Sequence, residues 1–202
     1  MDDIPVVRAT QLRPDVRAGS WRLDGLRGIL AELSEHTASG ALSFAADLIS
    51  EAQSQNDPVA WVAGTDSIFY PPDLAERGVD LQGVAVVRTG GGEEALLAAE
   101  WLLRSGAFGL VVVDWEGQDQ ASDASLGRLL KLAEKSAAGV LFLTSRKPSQ
   151  PSLGSRISLR GCVSRTGDDR QAVSIHTVKD KRSVPGPRIT RCYSGPPGMH
   201  QH

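Results

Sequence analysis

Much that would define a secreted, membrane or metal-bound protein is missing from this sequence. It has two cysteines, Cys162 and Cys192, far apart and with no second Cys or His at metal-ligand spacing. That excludes a disulfide framework and a zinc motif, and favours free, buried thiols in a reducing cytoplasm over a bridge. No apolar run approaches the length that spans a bilayer, and the opening MDDIPVVRAT is not a secretory signal. The expectation is a cytoplasmic chain with no membrane partner. Aromatic residues make up only 5% of the chain, yet the apolar 41% and charged 23% are ordinary for a globular protein. A length of 202 residues suits one domain with a real core, whereas two domains would each be small. There is no internal repeat.

The net charge of −2 hides an asymmetry. Through Ser145 there are 11 basic against 21 acidic residues; from Arg146 onward the count is 11 against 3. A basic C-terminal third could face nucleic acid, an acidic surface on another protein or another copy, or simply solvent.

Residues 1–27 show no clear period and read as a loosely held arm, and residues 194–202, rich in Pro and Gly, as a frayed tail. Between them, 28–193 form the expected domain. Gly28–Leu33, Val59–Ala63, Val84–Val87, Leu110–Val113 and Val140–Leu143 are short apolar runs of strand type. Ser39–Gln53 has apolar residues at helical spacing, with Ser39 as a possible cap. The Gly90-Gly91-Gly92 run opens a helix over Glu93–Ser105, with a stripe of Ala95, Leu96, Ala99, Leu102 and Leu103 and a stop at Gly106. A further helix spans about Asp123–Ala138, with Gly139 as its stop. Alternating strands and helices predict an α/β fold with a mostly parallel central sheet flanked by helices. Ile157–Val163 and Ala172–Val178 alternate with period two around a Thr166-Gly-Asp-Asp169 turn, which predicts a C-terminal antiparallel hairpin.

A parallel sheet places its ligand site at the carboxyl ends of its strands. After the first strand stands Ser34-Glu-His-Thr-Ala-Ser-Gly-Ala-Leu-Ser43. A phosphate loop needs an early Gly, a late Gly before a Lys, and a Ser or Thr for magnesium. Gly40 supplies the late glycine, but Glu35 stands at the first, Ala41 at the lysine and Leu42 at the metal ligand. A carboxylate where phosphates approach, without the neutralising cation, argues against ATP use. Taken alone, the segment equally fits an ordinary strand-to-helix turn.

Glu76-Arg-Gly-Val-Asp80, Glu93-Glu-Ala-Leu96 and Leu103-Arg-Ser-Gly-Ala107 followed by Leu110-Val-Val-Val-Asp114 resemble the core of bacterial RecA in order and spacing. Val178-Lys-Asp-Lys181 resembles the RecA segment whose lysines reach a neighbouring subunit's nucleotide. The resemblance covers roughly 28–182 and implies a RecA-like core. On that alignment Asp114 stands at the Walker B aspartate. Asp66 replaces the catalytic glutamate, Ser145 the nucleotide-sensing glutamine, and Asp73 the adenine-stacking tyrosine. The segments matching the two DNA-binding loops, Trp115–Asp123 and Arg146–Gly154, are short.

The resemblance therefore implies a pseudo-ATPase without cofactor or metal, not an enzyme. Within RecA-like proteins a short chain of this kind resembles the ImuA family. These are accessory factors of the SOS response that act in translesion synthesis and mutagenesis. Their expected partners are RecA, an ImuB-like Y-family polymerase relative and a DnaE-type error-prone polymerase. The alternatives are a SulA-like inhibitor of cell division that binds FtsZ, and a DNA-binding RecA paralogue with weak, non-specific DNA affinity. Fold-level likeness does not by itself fix function.

The candidate contact residues for a partner or DNA are Arg156, Arg160, Arg165, Lys179, Lys181 and Arg182, placed on the hairpin and its approach. His36 reads as a surface histidine, and His200 with His202 as a weak metal scavenger. Trp101 is one step from its helix's buried stripe, which predicts core or rim packing. Trp115 could plug the vacant nucleotide cavity, form a partner hot spot, or simply pack.

Overall fold

β-Branched runs too short to be helices alternate here with amphipathic stretches of about four turns, and each run becomes a strand. The computed structural model describes residues 21–35, 40–115, 120–166, 172–182 and 188–192. The elements are α1 (Leu23–Leu26), β1 (Leu30–Glu35), α2 (Ala41–Ser54), β2 (Val59–Ala63), α3 (Pro71–Glu76), β3 (Val84–Arg88), α4 (Gly92–Ser105) and β4 (Leu110–Asp114). They continue with α5 (Asp123–Ser136), β5 (Gly139–Thr144), β6 (Leu159–Thr166), β7 (Ala172–Asp180) and β8 (Ile189–Cys192).

The eight strands form one sheet in the order β3-β2-β4-β5-β1-β6-β7-β8. β1 to β5 pair in parallel, β6 joins β1 in parallel, and β7 and β8 add antiparallel. This is the expected α/β architecture, with the hairpin continuing the central sheet. The Gly-Asp-Asp turn of the hairpin, His36, Ser39, His200, His202 and the tail 194–202 lie outside the described residues.

Alternation along each strand splits the core in two. Ala31, Leu33, Trp61, Val112 and Leu141 face a layer containing α1, α2 and α3 residues. Leu30, Val62, Val111, Val113, Val140 and Phe142 face α4 and α5. Leu126, Leu129 and Ala133 supply the buried stripe of α5.

Several expectations are corrected. The arm predicted to reach residue 27 gives way to packed structure by Trp21, which is fully buried along with Leu23 and Leu26. The Trp21 indole donates to Thr177 Oγ1 at 2.9 Å and meets Phe44 edge-on. Gly106 ends α4 with φ +70°, as expected, but α5 ends at Ala137, also in the left-handed region, and Gly139 opens β5. A Cβ at Gly139 would lie 3.1 Å from that of Leu26, so this glycine serves close approach rather than a helix stop. Cys162 is buried and free, but Cys192 is exposed. Among the described residues no helix is long and apolar enough to cross a membrane.

Candidate functional site

Adjacent strands β2, β4, β5 and β1 bring the carboxyl-end positions Asp66, Asp114, Ser145 and Glu35 to one edge of the sheet. At the β1 end, Glu35 turns its carboxylate onto the start of α2, where the Ala41 amide donates to Glu35 Oε2 at 2.9 Å. The first amides of a helix form a natural anion site, and here the chain's own carboxylate takes that role. Burial pushes the Glu35 carboxyl above its usual range, opposed by hydrogen bonds from the Ala41 and Gly40 amides and by the Arg165 charge. Ala41 and Leu42 are buried in the core. A Cβ on Gly40 would fall 2.7 Å from a Val163 methyl and 2.8 Å from one of Val173, so the β6–β7 hairpin presses directly on this turn.

Asp114 is 7% exposed and is held from the neighbouring loop. Its Oδ2 accepts from Ser67 Oγ and from the Ile68 amide, each at 2.6 Å. The carboxylate thereby fastens the segment after β2 to the end of β4. Asp66, Asp73 and Ser145 are exposed. Among the described residues no group of three or more His, Cys, Asp or Glu side chains is arranged to hold a metal ion.

Of the basic residues predicted to share a hairpin face, Arg160 of β6 and Lys179 of β7 are paired by register, with Lys181 nearby. Arg160 is the clearest correction: it is 3% exposed, because β6 lies inside the sheet and register pairs Arg160 with Glu32 of β1. The guanidinium meets fully buried Glu32 at 3.5 Å. It also donates to Ser34 Oγ at 3.2 Å and to the carbonyls of Gln150 and Lys147. Glu32 further accepts from Thr144 Oγ1 at 3.0 Å and from the Leu153 amide at 2.8 Å. Together the pair clamps 146–154, the segment matched to a DNA-binding loop, against the sheet.

Half-buried Lys179 donates to Ser152 Oγ at 3.2 Å, and Lys181 to the Ser155 carbonyl. Burial, with Lys181 and Arg160 nearby, lowers the Lys179 ammonium below its usual range, although Glu32 opposes this. Arg182 donates to the Gly25 carbonyl at 2.6 Å, Arg156 pairs with Asp123 at 3.3 Å, and exposed Arg165 lies near Glu35.

Trp115 is 7% exposed, packs edge-on against Phe142 and covers Gly92, within the α4–α5 layer. It fills the opposite face of the sheet from α2, so it does not plug the space beside Ala41. A cavity of about 530 Å³ opens beside it, between the N-terminal turns of α4 and α5. Trp101, expected in the core or at its rim, is 66% exposed. Sequence reasoning missed Glu32, Ser34, Thr144 and Ser67; a lone glutamate inside an apolar strand run was the available signal for the first.

This sheet, with its helices on both faces and its antiparallel C-terminal extension, is a RecA-like core. No family model matches the chain. It is similar to the protein RecA of Chlorobium limicola, 30% identical over 176 residues that make up 84% of this chain and 46% of that protein. RecA of Chlorobaculum tepidum is 30% identical over 176 residues, 84% and 47% of the two chains. RecA of Rubrobacter xylanophilus is 29% identical over 203 residues, 93% and 55%. The chain spans about half the length of these curated relatives, and their identity over most of its own length supports a RecA-like family.

Proposed function

We propose that this chain is a non-catalytic RecA-like accessory protein of SOS DNA-damage tolerance, working by protein binding rather than ATP turnover. The observation that carries the reading is the Glu35 carboxylate on the Ala41 amide, where a phosphate-binding helix start would receive its ligand. An ATP phosphate arriving there would displace a hydrogen-bonded carboxylate or be repelled by it. No lysine follows Gly40 to offset the charge, since Ala41 stands there. Asp114 holds the Ser67–Ile68 loop through Oδ2, so that oxygen is already engaged.

The partners this reading implies are RecA, an ImuB-like polymerase relative and a DnaE-type error-prone polymerase, as for the ImuA branch. Weak, non-specific DNA binding is secondary, because Arg160 is spent inside the sheet. Calorimetry with ATP and magnesium is expected to give no saturable heat; micromolar binding, or turnover lost in Asp114→Asn, would overturn the non-catalytic reading. Purified candidate partners are then tested by biolayer interferometry at fixed salt. Binding to RecA or either polymerase protein supports the mutagenesis role, and binding to FtsZ alone moves the chain to the division-inhibitor class.

A further inference from the structure

Helix α4 buries Ala95, Leu96, Ala99 and Leu103 and turns Leu97 and Trp101 away from the core, 55% and 66% exposed. Four residues apart, the two side chains are neighbours on successive turns and form one continuous apolar strip. Every large apolar side chain that is exposed among the described residues (Ile68, Tyr70, Leu81, Val86, Leu97 and Trp101) falls within 68–101. Scattered single apolar residues on a surface are ordinary. Leu97 and Trp101, paired on one face of one helix, are more than such scatter.

The charge around the strip selects what can cover it. Helix α4 itself carries three acidic side chains, Glu93, Glu94 and Glu100, and one basic, Arg104. On α4, exposed Glu93 and Glu94 stand one turn before Leu97. The basic side chains nearby are already engaged, since Arg104 and Arg128 both pair with Glu100.

Several described cations of the C-terminal third are already engaged within the chain. At its basic end Arg160 is buried, Lys179 and Lys181 are bonded to 152–155, Arg182 to Gly25, and Arg191 to Asp47 at 2.6 Å. Arg191 also lies over the Phe44 ring.

We propose that the Leu97–Trp101 strip is a docking surface for a segment of another protein with apolar residues flanked by Lys or Arg. Trp101 is the anchor, consistent with the enrichment of tryptophan at interface hot spots. Glu93 and Glu94 set the required charge. This deepens the adaptor reading by naming the chemistry of a partner, but it does not depend on whether ATP binds.

The test is selection of a random linear peptide display library against the full chain, followed by affinity measurement of the enriched peptides. Enrichment of basic, apolar peptides is expected, with binding weakened by at least about tenfold in Trp101→Ser and in Leu97→Ser. Glu93→Lys should weaken the same peptides and accept versions whose Lys and Arg are replaced by Glu. Both apolar positions are exposed, so unchanged urea midpoints will show that the variants fold. Enrichment of acidic or uncharged peptides, no enrichment, or binding indifferent to Trp101→Ser would overturn the proposal. So would a dimer in sedimentation velocity that Trp101→Ser dissociates, since the strip would then belong to a second copy. Saturable ATP heat with the peptide result intact would sink the non-catalytic reading alone.

Discussion

Glu32 and Arg160 occupy directly paired positions on β1 and β6, and their charged groups meet 3.5 Å apart in the interior of the sheet. A buried pair of this kind adds little net stability over apolar residues, but leaving one partner alone is costly. Arg160→Ala, and separately Glu32→Ala, are expected to destabilise the fold by about 3–5 kcal/mol, read from urea unfolding. The double variant should cost clearly less than the two losses added together. A loss under about 1 kcal/mol for Arg160→Ala, the level of an exposed ion pair, would return Arg160 to the surface.

Glu35 makes stability depend on pH in a defined direction. Its folded carboxyl titrates above the usual range, chiefly through burial, so the native state holds that proton more readily than the unfolded chain. The contribution is full below the ordinary glutamate range and is lost as pH rises through the folded value. Glu35→Gln removes the titration. Relative to this variant, the parent should lose stability as pH rises from acid towards neutral, measured as urea midpoints across that window. A difference that does not vary with pH, or that grows in the parent's favour, would refute this.

Asp114→Ala leaves Ser67 Oγ and the Ile68 amide without this acceptor. The expected loss is about 1–3 kcal/mol, accompanied by faster proteolysis between 64 and 70. If Asp114 instead served only a metal, stability in metal-free buffer would be unchanged.

Trp21→Ala is expected to cost about 3–5 kcal/mol, because the indole is fully buried and bonded to Thr177. A residue in a loose arm would cost nothing measurable, so a thermal or urea midpoint separates the two descriptions.

Trp21 also shows where sequence reading ran out. β2, β4 and β5 were legible as short apolar runs buried throughout, and α4 by its helical period. Trp21, α1, α3 and β8 carry no such local signal. α3 is six residues opened by two prolines, and β8 is four residues long. In the candidate site, Glu35, Ala41, Leu42 and Asp114 gained meaning only through the resemblance to RecA. The Arg160–Glu32 pair was not legible, because it depends on register between strands far apart in sequence. Trp101 misled for a geometric reason: one step along a helix is about 100° around it, enough to turn a neighbour of the buried stripe towards water.

The central place of β1 has a consequence for how the chain acquires its structure. Leu30 pairs with Val140 on one side and Ala31 with Leu159 on the other. Most of the polypeptide therefore separates this strand from both of its partners. During synthesis β1 leaves the ribosome early and waits, with both edges open, while the residues that will flank it are still being added. Closing two such long loops costs entropy before any pairing repays it, which places this topology among slow-folding, high-contact-order chains. The helical units α4 and α5, with β4 and β5 around them, need only local closure and can organise first. β1 completes its pairing only when β6 arrives and Arg160 meets Glu32.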